Sequence, residues 1–245
     1  MTLDFTLSKY SELLDALKSY GFQELTLRHD VDLKPDNSLH TATMEAEKGM
    51  HGIYYFRAVP ESWNEKVINL IALLGHEIGY HYESLTTCEG DVDKAYEDFC
   101  ANLERLRALV PVRSICMHGS PRSPFDSKDI WEKYDYKALG IENEPYLDTD
   151  FSQVFYLTDT GRRWDGYRVS VRDKIPQYQD RWIAQGLSFH STDDVIKGLH
   201  ERLIPKKLMI TVHPQRWNPF GSAWCKEFLL QNIKNSIKRV LINKN

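Results

Sequence analysis

The chain has 245 residues, a formal net charge of −4 at pH 7 and a pI near 6.1, with 42% apolar and 27% charged residues. That length suits one large α/β domain with a substantial core, and the scattered Lys and Arg speak against a nucleic-acid or polybasic membrane surface. The sequence holds no apolar run of the roughly 18 residues a membrane span needs, no basic-then-apolar leader, and no CxxC or disulfide framework among Cys88, Cys100, Cys116 and Cys225. A reducing, cytoplasmic setting without a membrane span is the resulting expectation, and the oligomeric state is not legible.

Ser8 caps a predicted helix over 8–20, with Leu13, Leu14 and Leu17 on one face and Gly21 as its stop. A strand is expected at 25–29, a helix at 36–49 and a strand at 51–57. A helix at 65–74 carries Val67, Ile68, Ile71 and Leu74 at helical spacing and stops at Gly75. A strand at 77–81 precedes a long amphipathic helix over 92–110, which Pro111 closes, and a strand follows at 112–117. The stretch 119–180 mixes Pro, Asp and aromatics, and its clearest strand is 154–157. Ser191 and Thr192 cap a helix over 193–203, with Asp193 and Asp194 in its first turn. A strand at 207–212 and a helix at 223–241 end the chain. Strands alternating with helices imply a parallel sheet with right-handed crossovers. Six or seven such units fit an incomplete (β/α) barrel, read as one domain over 1–245.

Four of the apolar strands end in ionisable residues: LTLRHDVD over 25–32, EIGYHYE over 77–83, SICMHGSP over 114–121 and LMITVHP over 208–214. A buried strand ending in Asp or His delivers that side chain to the rim of the sheet, and four such ends converge carboxylates and imidazoles as a hydrolytic metal centre requires. Asp30 and Asp32 lie two apart, so in extended backbone both face one way, and one can bind a metal while the other serves as base. His81 and Glu83 repeat that spacing; Glu83 reads equally as a ligand, as a carboxylate orienting a ligand His, or as a solvated residue. His118 and His213 each stand at a strand end before a turn, and His213 suits a general acid. His76 reads as a surface or turn residue, while His40, His51, His190 and His200 receive no role. The run Asp159 to Asp165, with Arg162 and Trp164, reads either as a sugar-pocket wall or as a polar turn.

In this order the motifs resemble the polysaccharide deacetylase family, carbohydrate esterase family 4, whose fold is an incomplete (β/α)7-type barrel. Asp30-Val-Asp32 is similar to the family's first motif, GHEIGYH over 75–81 to its second, and LMITVH over 208–213 to its last. The resemblance implies Asp30 as general base, Asp32 and His81 as metal ligands, His213 as general acid, and Asp159 as its support. Arg162 and Trp164 would then line the substrate pocket. Two departures stand out. The family's second ligand His, four residues after the first, is here Leu85, and its third motif, which supplies an Arg to the base, is here Met117-His-Gly-Ser-Pro121. His118, or else Glu83, is the expected replacement ligand.

The implied protein is a metal-dependent hydrolase removing acetyl from an N-acetylated sugar, with one divalent transition metal, expected to be Zn2+, and a carbohydrate as its partner. The pattern resembles a sub-branch associated with surface-polysaccharide synthesis. Two other readings stay open: a non-catalytic barrel that binds a glycan or a biosynthetic partner, and another metal-dependent amidase or glycosidase on a related barrel.

Overall fold

The computed structural model describes residues 3–120, 123–165, 169–170 and 173–242, with side chains given up to residue 236. Helix α1 (Leu7–Tyr20) is capped two residues earlier than Ser8: Thr6 Oγ1 accepts Lys9 N, and Gly21 ends the helix in the left-handed region at φ 70°. Its stripe of Tyr10, Leu13, Leu14, Leu17 and Tyr20 is buried, worth about 1.5–3 kcal/mol per large apolar side chain.

The chain then alternates: β1 (Glu24–Val31), α2 (Pro35–Glu47), β2 (Ile53–Phe56), α3 (Glu65–Leu73), β3 (Glu77–Tyr82), the single turn α4 (Ser84–Thr87), α5 (Val92–Arg107) and β4 (Ser114–Met117). After two 3-10 turns come α6 (Pro145–Asp148), β5 (Phe155–Thr158), α7 (Pro176–Ala184), α8 (Thr192–His200), β6 (Lys207–Val212) and α9 (Ser222–Ile242). The capping of α8 follows the sequence: Ser191 Oγ accepts Asp194 N and the Asp194 side chain returns the bond. The single turn α4 was not expected, whereas α6 and the start of α7 fall in the 119–180 stretch, where short helices were expected but not placed.

Among the described residues, six strands form one sheet in the order β4-β3-β2-β1-β6-β5, and every pairing is parallel. β1 therefore lies inside the sheet, while β4 and β5 are edges that do not pair with each other. All strand ends point the same way, which is what lets residues from five different strands meet. Parallel strands covered on both faces read as continuous apolar runs, so the polar residues among them stand out. Gly79 on β3 is required by packing: a Cβ there would lie 2.3 Å from the Tyr55 ring.

Alternation along β1 sends Arg28 and Asp30 to one face and Leu27, His29 and Val31 to the other. His29 stacks on Tyr54 at 4.0 Å, and its Nε2 lies 3.1 Å from Oε1 of buried Glu45, to which Tyr10 and Tyr54 donate. His76 directly follows the turn at 74–75, as one of its two expected readings had it, but it is not at the surface. It is 5% exposed, its Nδ1 accepts Gly52 N at 3.1 Å and its Nε2 contacts Ala42 O at 2.9 Å. This polar knot ties α1 and α2 to the strands.

Between the two edges, the segment 143–146 partly fills the opening. Asn143 bridges Ser114, and the Tyr146 ring lies 4.9 Å from the Arg28 guanidinium. No helix among the described residues is long and apolar enough to cross a membrane.

Candidate metal centre

The strand ends bring Asp32, His81 and His118 together. Asp32 follows β1, where its N–H bonds back to Asp30 O at 3.1 Å. Its Oδ1 stands 3.5 Å from His81 Nε2 and 3.6 Å from His118 Nε2. Each ring is oriented through its other nitrogen: His81 Nδ1 lies 2.9 Å from Cys116 O, and His118 Nδ1 2.9 Å from Glu83 Oε2. With those protons donated outward, both neutral rings aim the Nε2 lone pair at the same carboxylate oxygen, the tautomers being inferred from these bonds. Asp32 Oδ1 is buried and accepts no hydrogen bond from the described residues. Two imidazole lone pairs converging on an orphaned buried carboxylate oxygen repel it unless a cation stands between them, so this set fits a divalent metal with two imidazoles and one carboxylate. Gln215 Nε2 donates to the other oxygen, Oδ2, at 3.0 Å, which leaves Oδ1 for the cation. Burial opposes the charge of Asp32, but were the rings protonated instead, His81, His118 and His213 would outweigh it and hold the carboxyl well below the usual range, so protons and a cation compete for the same position.

Glu83 faces His118 and not the Asp32 oxygen. Arg57 grips it through Nε at 3.1 Å and Nη2 at 2.6 Å, and donates from Nη1 to Asp32 O at 3.1 Å. Despite burial, His118 and Arg57 pull the Glu83 carboxyl down to about 2. A carboxylate bonded to the far nitrogen of an imidazole is the arrangement that fixes a metal-binding His. Leu85 is 3% exposed and packs in an apolar cluster with Ala95 and Ile130, so hydrocarbon fills this position.

A second group, Asp30, His81 and Cys116, has the spacing of a ligand set, but its chemistry argues against it. Both Asp30 oxygens are taken by Arg28, Nε to Oδ1 at 2.8 Å and Nη2 to Oδ2 at 2.6 Å. Burial works against the charge of Arg28, but Asp30 outweighs it and raises the guanidinium pKa further. A metal at that position would sit against a buried cation. Burial also pushes the Cys116 thiol well up, keeping it protonated.

Beside the centre stand a base and an acid candidate. Asp30 Oδ2 is 3.8 Å from His81 Nε2. His213 Nε2 is 4.0 Å from Asp32 Oδ2, and its Nδ1 is 2.6 Å from Asp159 Oδ1. Asp159 is wholly buried and also accepts Arg216 Nη1 at 2.6 Å and Trp217 Nε1 at 2.8 Å. Burial and Arg216 oppose a charge on His213, but Asp159 and Asp173 prevail and raise its pKa.

Asp173 had no role in the sequence reading. Its Oδ2 lies 3.6 Å from His213 Nε2, and it accepts the hydroxyls of Tyr146, Tyr156, Thr158 and Thr160. It lies in the Pro- and Asp-rich middle, outside every strand, where nothing in the sequence marks it. Arg28 was legible in principle, as a lone cation inside an apolar strand.

The proposed pocket residues are placed elsewhere. Trp164 is 3% exposed, donates to Thr192 at 2.9 Å and packs beside Phe5 and Trp217. Arg162 lies over Phe5, Trp224 and Phe228. The wall expected of them at the metal centre is therefore corrected: one side chain is spent on the core, the other on an aromatic cluster.

Among solved structures the chain is similar to the peptidoglycan deacetylase PdaC from Bacillus subtilis, determined in a mutant form. The match has 9% sequence identity and a TM-score of 0.40, and covers 90% of this chain and 98% of that one. No family model matches the chain, and no curated protein matches it.

Proposed function

We propose that the protein is a metal-dependent hydrolase that removes an acetyl group from an N-acetylated sugar or surface-polysaccharide precursor. The observation that carries this reading is the orphaned Asp32 Oδ1 facing the Nε2 atoms of His81 and His118, with an Arg-held carboxylate and a carboxylate-held imidazole beside it. Asp32, His81 and His118 would hold one divalent metal, and Zn2+ suits the donor set. Such an ion supplies Lewis acidity toward an acyl oxygen and makes water more acidic.

The chain's own residues divide the remaining work. Asp30, fixed by the Arg28 fork, accepts a proton from the attacking water. His213, held protonated by Asp159, gives its Nε2 proton to the departing amine. Asp173 adds negative charge near that nitrogen and favours the imidazolium. Glu83 and Arg57 set the ring angle of His118 and so replace the support that a second His in the 81–85 segment would give.

The test is acetate release from N-acetylglucosamine oligosaccharides by zinc-loaded protein. Release that requires metal and falls in Asp30→Asn and His213→Ala is expected, by roughly 10²–10⁴-fold for each. Full activity in both variants contradicts the assignment.

A further inference from the structure

Two residues beyond Asp159, the chain takes two successive left-handed residues, Gly161 at φ 76° and Arg162 at φ 57°. For Arg162 that conformation costs about 1–2 kcal/mol, so its surroundings hold it there. A Cβ on Gly161 would come within 2.6 Å of Val169 and 3.1 Å of Asn235 Oδ1. Asn235 Nδ2 donates to Gly161 O at 2.8 Å, and Gln231 Nε2 donates to Asn235 Oδ1 at 2.8 Å. Helix α9 thus clamps this loop through two buried amides.

The Arg162 guanidinium lies 4.9 Å from the Phe5 ring centre, 5.0 Å from that of Trp224 and 5.5 Å from that of Phe228. Trp224 and Phe228 stack at 5.2 Å with only 6° between their planes. Nη2 donates to Asp4 O at 3.3 Å, whereas Nη1 is buried without a partner. Burial pulls this guanidinium down to about 10.

Against this cluster opens a cavity of about 430 Å3, lined in part by Arg162, Trp224, Phe228, Gln231, Asn232 and Ser236. That size is within the roughly 300–1,000 Å3 of small-molecule sites. Arg163 and His190 reach its rim, but each pairs with Asp165, at 2.6 Å and 2.7 Å. Asp4 also lines it, its carboxylate taken by the backbone N–H groups of Phe5 and Thr192. Positive and negative groups are therefore balanced. The lining combines stacked rings, amides, a hydroxyl and the guanidinium of Arg162. An apolar ligand would cover the exposed amide of Asn232, and an anion would meet the Asp4 carboxylate, while the rim cations Arg163 and His190 already pair with Asp165. A sugar ring matches both halves: C–H faces for the aromatics, hydroxyls for the amides and guanidinium.

We propose that this cavity is a saccharide-binding site for a neutral sugar unit, separate from the metal centre. None of Asp30, Asp32, His81, His118 and His213 is among the described residues that line it. The site stands whether or not the metal centre is catalytic.

The test follows the Trp224 indole N–H, which donates to Asp4 O at 2.8 Å, by 15N NMR during titration with glucose, N-acetylglucosamine and glucuronate. The site predicts a saturable shift with a neutral sugar at a Kd of about 1 mM or tighter. Ser236→Trp, which fills the cavity from an exposed helix position, and Arg162→Leu should each raise Kd at least about tenfold. Asp32→Ala should leave Kd unchanged. Absence of a saturable shift, unchanged binding in Ser236→Trp, or loss of binding in Asp32→Ala overturns the proposal, and tighter binding of glucuronate overturns its neutral-sugar assignment. If Arg162→Leu fails to fold, Ser236→Trp decides alone.

Discussion

Arg28 and Asp30 stand two positions apart on one strand and clasp each other through a bidentate pair of 2.8 and 2.6 Å, both side chains buried. The candidate base thus draws its counter-ion from its own strand, and the stretch Met117-His-Gly-Ser-Pro121 offers no Arg. Arg28→Met leaves an unpaired buried carboxylate, and removing one partner of such a pair costs about 3–5 kcal/mol. Denaturant unfolding should show that loss, with acetate release at least about 10²-fold slower as Asp30 loses its orientation. Arg28→Lys should recover charge without the fork and fall between the two. Wild-type rates in Arg28→Met would remove Asp30 from the reaction.

Glu83 and Leu85 make opposite predictions about the missing imidazole. Glu83→Gln keeps the shape but weakens the hold on His118 Nδ1, and metal affinity measured by competition with a chelator should fall roughly 10–100-fold. An unchanged affinity would mean that His118 is oriented by something else.

Leu85→His would put an imidazole where the deacetylase motif that the sequence resembles carries one. The side chain would be buried against Ala95 and Ile130, so stability should drop by about 1–3 kcal/mol with no gain in metal affinity. Tighter zinc binding in this variant would show that position 85 faces the centre.

Asp159 gives a pH signature in stability. Burial opposes its charge, but Arg216 and His213 prevail and hold its folded carboxyl below the ordinary value. A depressed carboxylate contributes stability above its unfolded pKa of about 3.9, and that contribution is lost as pH falls through the lower folded value. Asp159→Asn should therefore be less stable than wild type at pH 7, by about 3 kcal/mol or more, and the gap should close below about pH 4. A gap that is constant with pH would assign the loss to packing.

Much of the fold was legible because local signals and topology agree. Gly21 and the Ser191 capping box bound helices where the structure ends or starts them, and strands that close on Asp30, His81 and His213 follow from apolar runs broken by one ionisable type. The stretch 119–180 was not legible, since its short helices are held by tertiary contacts such as the Glu144 carboxylate accepting Tyr146 N and Leu147 N. Asp173 was hidden there for the same reason. Arg162 and Trp164 show the limit of motif reading: proximity in sequence to Asp159 says nothing about which side of a left-handed turn a side chain leaves. Glu83 stood open among three roles, and the distances now support the one that orients His118.

The most direct measurement is metal content by elemental analysis of purified wild type and of Asp32→Ala, His81→Ala and His118→Ala. The account predicts close to one equivalent of a divalent transition metal in wild type and its loss in all three variants, each still folded. A wild-type protein that takes up no metal after Zn2+ is added, or one that keeps its metal in all three variants, would contradict the centre assigned to Asp32, His81 and His118.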